Sequence, residues 1–431
     1  MMNRTDYLIK EIKTYHCDLI ETSPDTAKIK FNKMAANPFN FYRGTAHLFY
    51  ADMKRYPSEF VNEKTGRVWI QGDLHIENFG TYKDSKGHIV YDVNDYDECY
   101  LAPFVWDIWR AAVSIVLVVR QQQLKEIAEK EFVAEYVASF CEKIKQFAED
   151  KSERDFKIDL EHSQGEVKKT LERAYAESRS DYLDRFTEIY RGVRRFKINE
   201  KQEPLSSDIR NRMISAFYEQ YIPTIPLSKR HNPDYYSVES VDMIEAKGAG
   251  IGSAGQKMFS FLIRGESDSA DDDIVIGAKI ARPSVVKPYV EPNPFPDKYI
   301  KNEAMRCALG QRAMQANGDP FLGYFEYDGK PFYVSELSPY EMSINLNEIN
   351  SSKEFLSVLR QMGQATAKIH AVSDRDADAT LVPYSADKEI ANVIAGKEEQ
   401  FLSEVCNFAI DYADIVENDY KAFLDALSRE K

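Results

Sequence analysis

Two stretches of this chain hold their apolar residues in short β-rich runs and their polar residues in the loops between. No other feature limits the fold as strongly. In residues 67–98, Val68-Trp69-Ile70 leads into the loop Gly72–Asn78, and Ile89–Val93 follows a turn at Lys83–Gly87. That is strand, loop, strand, turn, strand. From residue 241 onward, VDMIEAKGAGIGSAGQKMFSFLIRGE reads as strand, glycine-rich turn, strand. An acidic turn then leads to the strand IVIGAKIA, and YFEYDGKPFYVSEL reads as a hairpin. The spacing elsewhere is helical: residues 1–56 with a break at Asn37-Pro38, Pro103–Lys151, the highly charged 152–222, Lys298–Ala316, and Lys353 to the end. Pro223, Pro226 and Pro233 mark a boundary. The pattern predicts an α+β protein, with a β-rich unit bracketed by helical halves.

A chain of 431 residues exceeds one ordinary core. Its 56 basic and 70 acidic residues give a net charge of −14. A nucleic-acid binder usually carries a basic field, so none is expected as partner. An acidic surface tolerates a cationic substrate. The five cysteines are scattered and form no CxxC, which argues against a disulfide framework or zinc site and for a reducing, cytoplasmic setting. The N-terminus reads as the start of an amphipathic helix without a signal core. The longest apolar run, Ala111–Val119, lies between Arg110 and Arg120 and is too short to cross a bilayer, so it reads as a buried helix and no membrane partner is expected.

The first constellation of chemical interest is G-D-L-H-x-x-N, residues 72–78, followed by Asp92, Asn94, Asp95, Asp97 and Glu98 at a strand end. Such crowded carboxylates repel one another unless a cation joins them or some point into water. Magnesium takes one or two carboxylates with an amide oxygen and substrate phosphates. Asn78 with Asp95, and Asp97 beside them, offer that set. Phosphoryl-transfer enzymes place a loop aspartate near the attacking hydroxyl, an asparagine a few residues later on one metal, and an aspartate of the next hairpin on the other. Asp73, Asn78 and Asp95 stand in that order. His75 is read as structural support, with a place beside metal or phosphate as the other reading.

The second constellation is the run Lys247–Gly255. Gly250, Gly252, Ser253 and Gly255 would let backbone N–H groups approach phosphates, although any tight hairpin may contain glycines. No Gly-Lys-Ser/Thr follows, so it is not a Walker loop. Lys279 sits in the third strand among apolar neighbours and needs a partner if it is buried. Glu303, on the following helix, is the candidate partner, with Glu291 or another acid as alternatives. Residues 334–338, including Glu336, take the position of a hinge that would bond an adenine edge.

GDLHIEN resembles the catalytic loop of the aminoglycoside phosphotransferase and choline kinase superfamily, and VNDYD resembles that superfamily's following metal-binding motif. Pro103 and Asp107 match its P-x-x-x-D, where the resemblance implies that Asp107 anchors the catalytic loop. Gln71 departs from the histidine usual there. FYRGTAHLFYADM, GDLHIENFG, YDVNDYDE, APFVWDIWRAAVS, GAGIGSAG, AKIARPS, GQRAMQ and AKIHA are together similar to a large bacterial family known as a domain of unknown function. This second resemblance covers most of the chain and implies a kinase-like layout. It also singles out Arg43, either as a phosphate contact or as a structural partner of an acid such as Asp52.

In kinases the glycine loop and lysine precede the catalytic loop, whereas here Asp73 precedes Lys279. Either the two sites are unrelated or the fold is circularly permuted. The helix bearing Lys368-Ile369-His370-Ala371 resembles the one that ordinarily leads into the catalytic loop. The expectation is therefore a protein-kinase-like two-lobe fold, circularly permuted, with a helical insertion. Residues 1–150 would open the helical lobe, 151–235 form the insertion and linker, 236–340 the β-rich ATP-binding unit, and 341–431 the return. The expected activity is an ATP- and Mg²⁺- (or Mn²⁺-) dependent phosphotransferase acting on an unidentified small-molecule or protein hydroxyl. AMP transfer and a non-catalytic nucleotide-binding module are alternatives. Metallophosphoesterases share G-D-x-H but need G-D-x-x-D and G-N-H segments that do not occur here.

Overall fold

A computed structural model of the chain describes residues 3–199, 202–230, 242–247, 257–265, 267 and 269–429. It is a mixed α+β protein. The apolar run between the two arginines forms helix Val105–Gln122, buried along nearly all of its length. It ends at Gln123, whose φ of 56° stops the helix. Helix Glu398–Arg429 packs along it, and the Trp109 and Phe408 rings stack at 4.5 Å. Helix Ser352–Val372 lies against helix Glu129–Asp150. The approach is close because Gly363 has no side chain: a Cβ there would lie 2.3 Å from the Tyr136 carbonyl oxygen.

This main core joins residues from both ends of the chain, from Leu8 and Met34 to Tyr412 and Phe423. The Arg4 guanidinium holds the junction, donating to Asp52 at 2.8 Å and to Asp419 at 2.6 Å. No helix among the described residues is long and apolar enough to cross a membrane.

The strands before residue 105 form two small antiparallel pairs. β1 (Val68–Ile70) pairs with β4 (Tyr100–Ala102), and β2 (Phe79–Lys83) pairs with β3 (Ile89–Val93). The charged segment predicted to be helical is only partly so. It contains helix Gly165–Ala176, but also the hairpin β5 (Thr187–Tyr190) and β6 (Val193–Phe196). The connecting Arg191 and Gly192 both have positive φ, the backbone a two-residue hairpin requires. The charges obscured a period-two alternation: in β6, Arg194 and Phe196 turn inward.

β7 (Gln202–Pro204) is the edge of a six-stranded antiparallel sheet. Its other strands are β8 (Asp242–Lys247), β9 (Lys257–Ile263), β10 (Ile274–Ile280), β11 (Gly323–Tyr327) and β12 (Lys330–Glu336), in the order β11-β12-β10-β9-β8-β7. One face carries a second core, where Phe259, Phe261, Ile276, Ala278, Phe332 and Val334 meet Met213, Phe217 and Tyr221. Strand side chains alternate between faces. The opposite face therefore presents Met258, Gly277, Lys279, Tyr333 and Ser335.

Candidate functional site

The loop between β1 and β2 is held by its backbone. Asp107, fully buried on helix Val105–Gln122, accepts the N–H of Gln71 at 2.7 Å on one oxygen and that of Gly72 at 3.0 Å on the other. His370 Nε2 lies 3.2 Å from the same carboxylate. The Tyr50 hydroxyl donates to the Gly72 carbonyl at 2.6 Å, and Ser114 Oγ accepts the Ile76 N–H at 3.1 Å. Gly72 has φ of 84°, and a Cβ there would sit 2.2 Å from the Glu98 carbonyl oxygen. Only glycine passes the chain through this point.

This frame sets Asp73 against the buried Arg110, whose Nε donates to Asp73 Oδ1 at 2.6 Å. Arg110 itself lies over the Tyr42 ring at 4.3 Å. The Asn78 side-chain amide donates to the Asp73 carbonyl at 3.0 Å, leaving its own oxygen free of that bond. The Asn78 carbonyl accepts the Asn94 N–H at 3.1 Å, which ties the loop to the segment after β3. Gln71 bonds the Asp95 carbonyl from the same side. His75 is buried with its ring edge against Phe39 and its Nδ1 without a partner among the described residues. Burial holds its pKa well below the ordinary value, so it is neutral.

A cavity of about 350 Å³ lies between this loop and the open face of the six-stranded sheet. Asn78, Asp95, Lys279, Gln311, Asp319 and Glu336 line it. Lys279 reaches across to Asp97 at 2.7 Å, joining residues 182 positions apart. Burial disfavours the charged lysine, but Asp97 and Asp95 raise its pKa above the ordinary lysine value. Burial and the adjacent Asp97 raise Asp95.

Several expected pairings differ. The acid paired with Lys279 is Asp97 and not Glu303. Glu303 sits in the first turn of its helix, where Lys287 at 2.9 Å and Arg306 at 2.6 Å hold it. Farther along, that helix presents Gln311 and Gln315 to the cavity, neither of them an acid. Arg43 pairs with Glu77 and not with Asp52, which Arg4 already engages. Glu336 does line the cavity, but it pairs with Arg179 of the charged segment at 2.7 Å. Gly250, Gly252, Ser253 and Gly255 lie outside the described residues. Arg110, Arg179 and Asp319 were not singled out from sequence. Arg110 had a signal, a charge at the edge of a buried apolar run.

Among the described residues, no group of three or more histidine, cysteine, aspartate or glutamate side chains is placed to hold a metal. The available set is Asp95, Asp97 and the Asn78 amide oxygen. These are hard oxygen donors with two mutually repelling carboxylates, which suits Mg²⁺ or Mn²⁺.

Burial raises three carboxyls near the site: Asp73 to about 6 against the pull of Arg110, and Glu98 to about 7 against the Val285 N–H and Arg306. Asp319 rises to about 7, with Glu336 adding to the effect. The folded chain thus keeps protons that the unfolded chain has already released. This stability is full below the ordinary carboxylate pKa and is lost as pH rises through 6 to 7. Stability, and with it the melting temperature, is expected to fall between about pH 4 and about pH 7, by up to about 1.4 kcal/mol per pH unit for each proton. Asp73→Asn should flatten part of the slope. A melting temperature unchanged across that range would show that these carboxyls are ionised throughout.

A family model described as "Uncharacterized protein conserved in bacteria (DUF2252)" matches residues 22–426, and the chain belongs to that family. No curated protein and no solved structure matches the chain.

Proposed function

We propose that this chain is an ATP- and magnesium-dependent phosphotransferase with a kinase-like, circularly permuted fold. The observation that carries the reading is the meeting of Lys279, from the six-stranded sheet, with Asp97, beside Asp95 and Asn78, at one cavity. A strand lysine facing an asparagine and paired carboxylates is the arrangement phosphoryl transfer uses. The Asp107 anchor under the Asp73 loop supports it, as does His370 arriving from the far end of the sequence. The shared core of the two chain ends supports the permutation, since a chain whose ends adjoin can be cut elsewhere.

On this reading Lys279 binds the α- and β-phosphates of ATP, and Glu336 lies at the adenine end. The glycine run with Gly250, Gly252, Ser253 and Gly255, outside the described residues, is the segment expected to bind the phosphates. Asn78, Asp95 and Asp97 would hold Mg²⁺, which neutralises phosphate charge when bound. Lys279 would then exchange Asp97 for phosphate. Asp73 orients the acceptor hydroxyl and takes its proton. The acceptor oxygen bonds to the γ-phosphorus as the bond from that phosphorus to the β–γ bridging oxygen breaks, and ADP leaves. A carboxyl with pKa near 6 suits proton transfer near neutral pH. Arg110 limits how far burial raises it.

The test is the melting temperature with and without ATP and Mg²⁺. A ligand at about 100 times its Kd adds about 2.7 kcal/mol. The wild type is expected to show a Mg²⁺-dependent rise that both Lys279→Ala and Asp95→Ala lose. Turnover in those variants should fall with it, and the mass of the product separates phosphoryl from AMP transfer. No rise at saturating millimolar ATP would overturn the reading.

A further inference from the structure

Near Asp73 the N-terminal helices bury a second polar cluster that the nucleotide site does not use. Lys30, on helix Pro24–Met34, is 7% exposed and forms no ion pair or hydrogen bond among the described residues. His47, on helix Ala46–Met53, is equally buried, and neither of its ring nitrogens has a partner among the described residues. His16 is buried beside it, with ring centroids 6.0 Å apart and its Nε2 unpartnered. Tyr15 stacks on His47 at 4.1 Å and is 45% exposed, so the cluster has an open edge.

The charges of Arg282, Glu98 and Asp73 act on Lys30, and the same three act on Tyr15. Arg282 lies just beyond β10, exposed, and forms no ion pair among the described residues. Arg43, one turn before His47, has a buried Nε without a partner.

A buried ammonium with no direct ion pair or hydrogen bond is costly even where carboxyls act on it from farther off, and so is a buried polar nitrogen without a bond. Burial lowers Lys30 to about 8, and burial together with Lys30 lowers His16 to about 2 and His47 to about 3. Both histidines are therefore neutral, each with one N–H; that of His16 is taken by the Gly44 backbone, so among the described residues His47 is the one with an N–H left to donate. The Lys30 ammonium and the His47 N–H are buried donors without acceptors among the described residues, and the exposed Arg282 adds a guanidinium whose charge reaches Lys30. One anionic group would satisfy them together. The local sign opposes the net charge of −14, so the overall composition says nothing about it.

We propose that the acceptor substrate carries an anionic oxygen group, a phosphate or carboxylate, that seats among Lys30, His47 and Arg282 and brings a neighbouring hydroxyl to Asp73. The word acceptor rests on the phosphotransferase reading; the anion site does not.

The test uses the full chain with orthophosphate and acetate as separate probes, followed by calorimetric titration and thermal melting. At least one probe is expected to bind the wild type and raise its melting temperature. Lys30→Met should weaken that binding at least tenfold and should melt higher than the wild type without ligand, because an unpaired buried charge is gone. Arg282→Gln, at an exposed position, should weaken binding several-fold with no change in unliganded melting. The Mg²⁺-dependent ATP shift is measured in parallel. Anion binding lost in Lys30→Met supports the site even if ATP gives no shift, and in that case only the phosphotransferase reading falls. Binding of neither probe, equal binding by wild type and Lys30→Met, or a Lys30→Met protein less stable than the wild type would overturn the proposal.

Discussion

Replacing Asp107 by alanine is expected to lower stability by about 3–5 kcal/mol, the cost of breaking a buried charged network by removing one partner. The carboxylate is fully buried and satisfies the N–H groups of Gln71 and Gly72, with His370 Nε2 at 3.2 Å. Alanine leaves two buried backbone donors and an imidazole without their acceptor, and each such orphan costs about 1–3 kcal/mol. Asp107→Asn keeps one acceptor oxygen but turns an NH₂ toward a donor, so a smaller loss is expected. Urea denaturation of both variants measures the difference. Asp107→Ala should also free the loop carrying Asp73, so Mg²⁺·ATP stabilisation should weaken in the protein that remains folded. A loss below about 1 kcal/mol would mean that Tyr50 and Ser114 hold the loop without Asp107.

Lys368→Met is expected to cost a similar amount, about 3–5 kcal/mol. Lys368 is buried on helix Ser352–Val372, and its ammonium binds Asp92 at 2.5 Å and the carbonyls of Met314 and Gln315 at 3.2 and 3.0 Å. It thereby joins three segments distant in sequence: β3, the end of helix Glu303–Gln315, and the C-terminal half. Methionine fills similar space but leaves the Asp92 carboxylate, among the described residues, with the Tyr82 hydroxyl at 3.3 Å and the Val93 N–H at 2.9 Å. The loss should therefore come mainly from the stranded charge and less from lost packing. Adding Asp92→Asn should recover much of it, and the double-mutant cycle reads the coupling directly. If the double variant is no more stable than Lys368→Met, the lysine acts through its carbonyl contacts and not through Asp92.

The positions of the first constellation were legible because they are local. Gly72, Asp73 and Asn78 lie within one loop, and a single helix delivers Asp107 to it. Alternation along IVIGAKI put Lys279 on the face opposite the phenylalanine core, where it lies. The hairpin β5–β6 was misread because arginine and glutamate dominate its sequence, and a charged strand paired on one side looks like a solvated helix until its turn is noticed.

Pairings were harder to read than positions. Glu303 seemed the natural partner for Lys279 because it follows in the chain as a helix acid, but Arg306 and Lys287 are nearer and hold it. Arg43 had two candidate roles by composition, and Glu77 became its partner only when the loop folded back over helix Pro38–Gly44.

By itself, the sequence determined which residues would be apolar faces, which would be loops, and which oxygen donors would cluster near a strand end, because periodicity and local spacing act over a few residues. The tertiary structure alone decided that Lys279 meets Asp97, that Arg110 sits under Asp73, and that Lys30 is buried with no ion pair among the described residues. These depend on which faces meet across long separations, and a charge takes the partner that packing brings nearest in a medium where little water is left to compete.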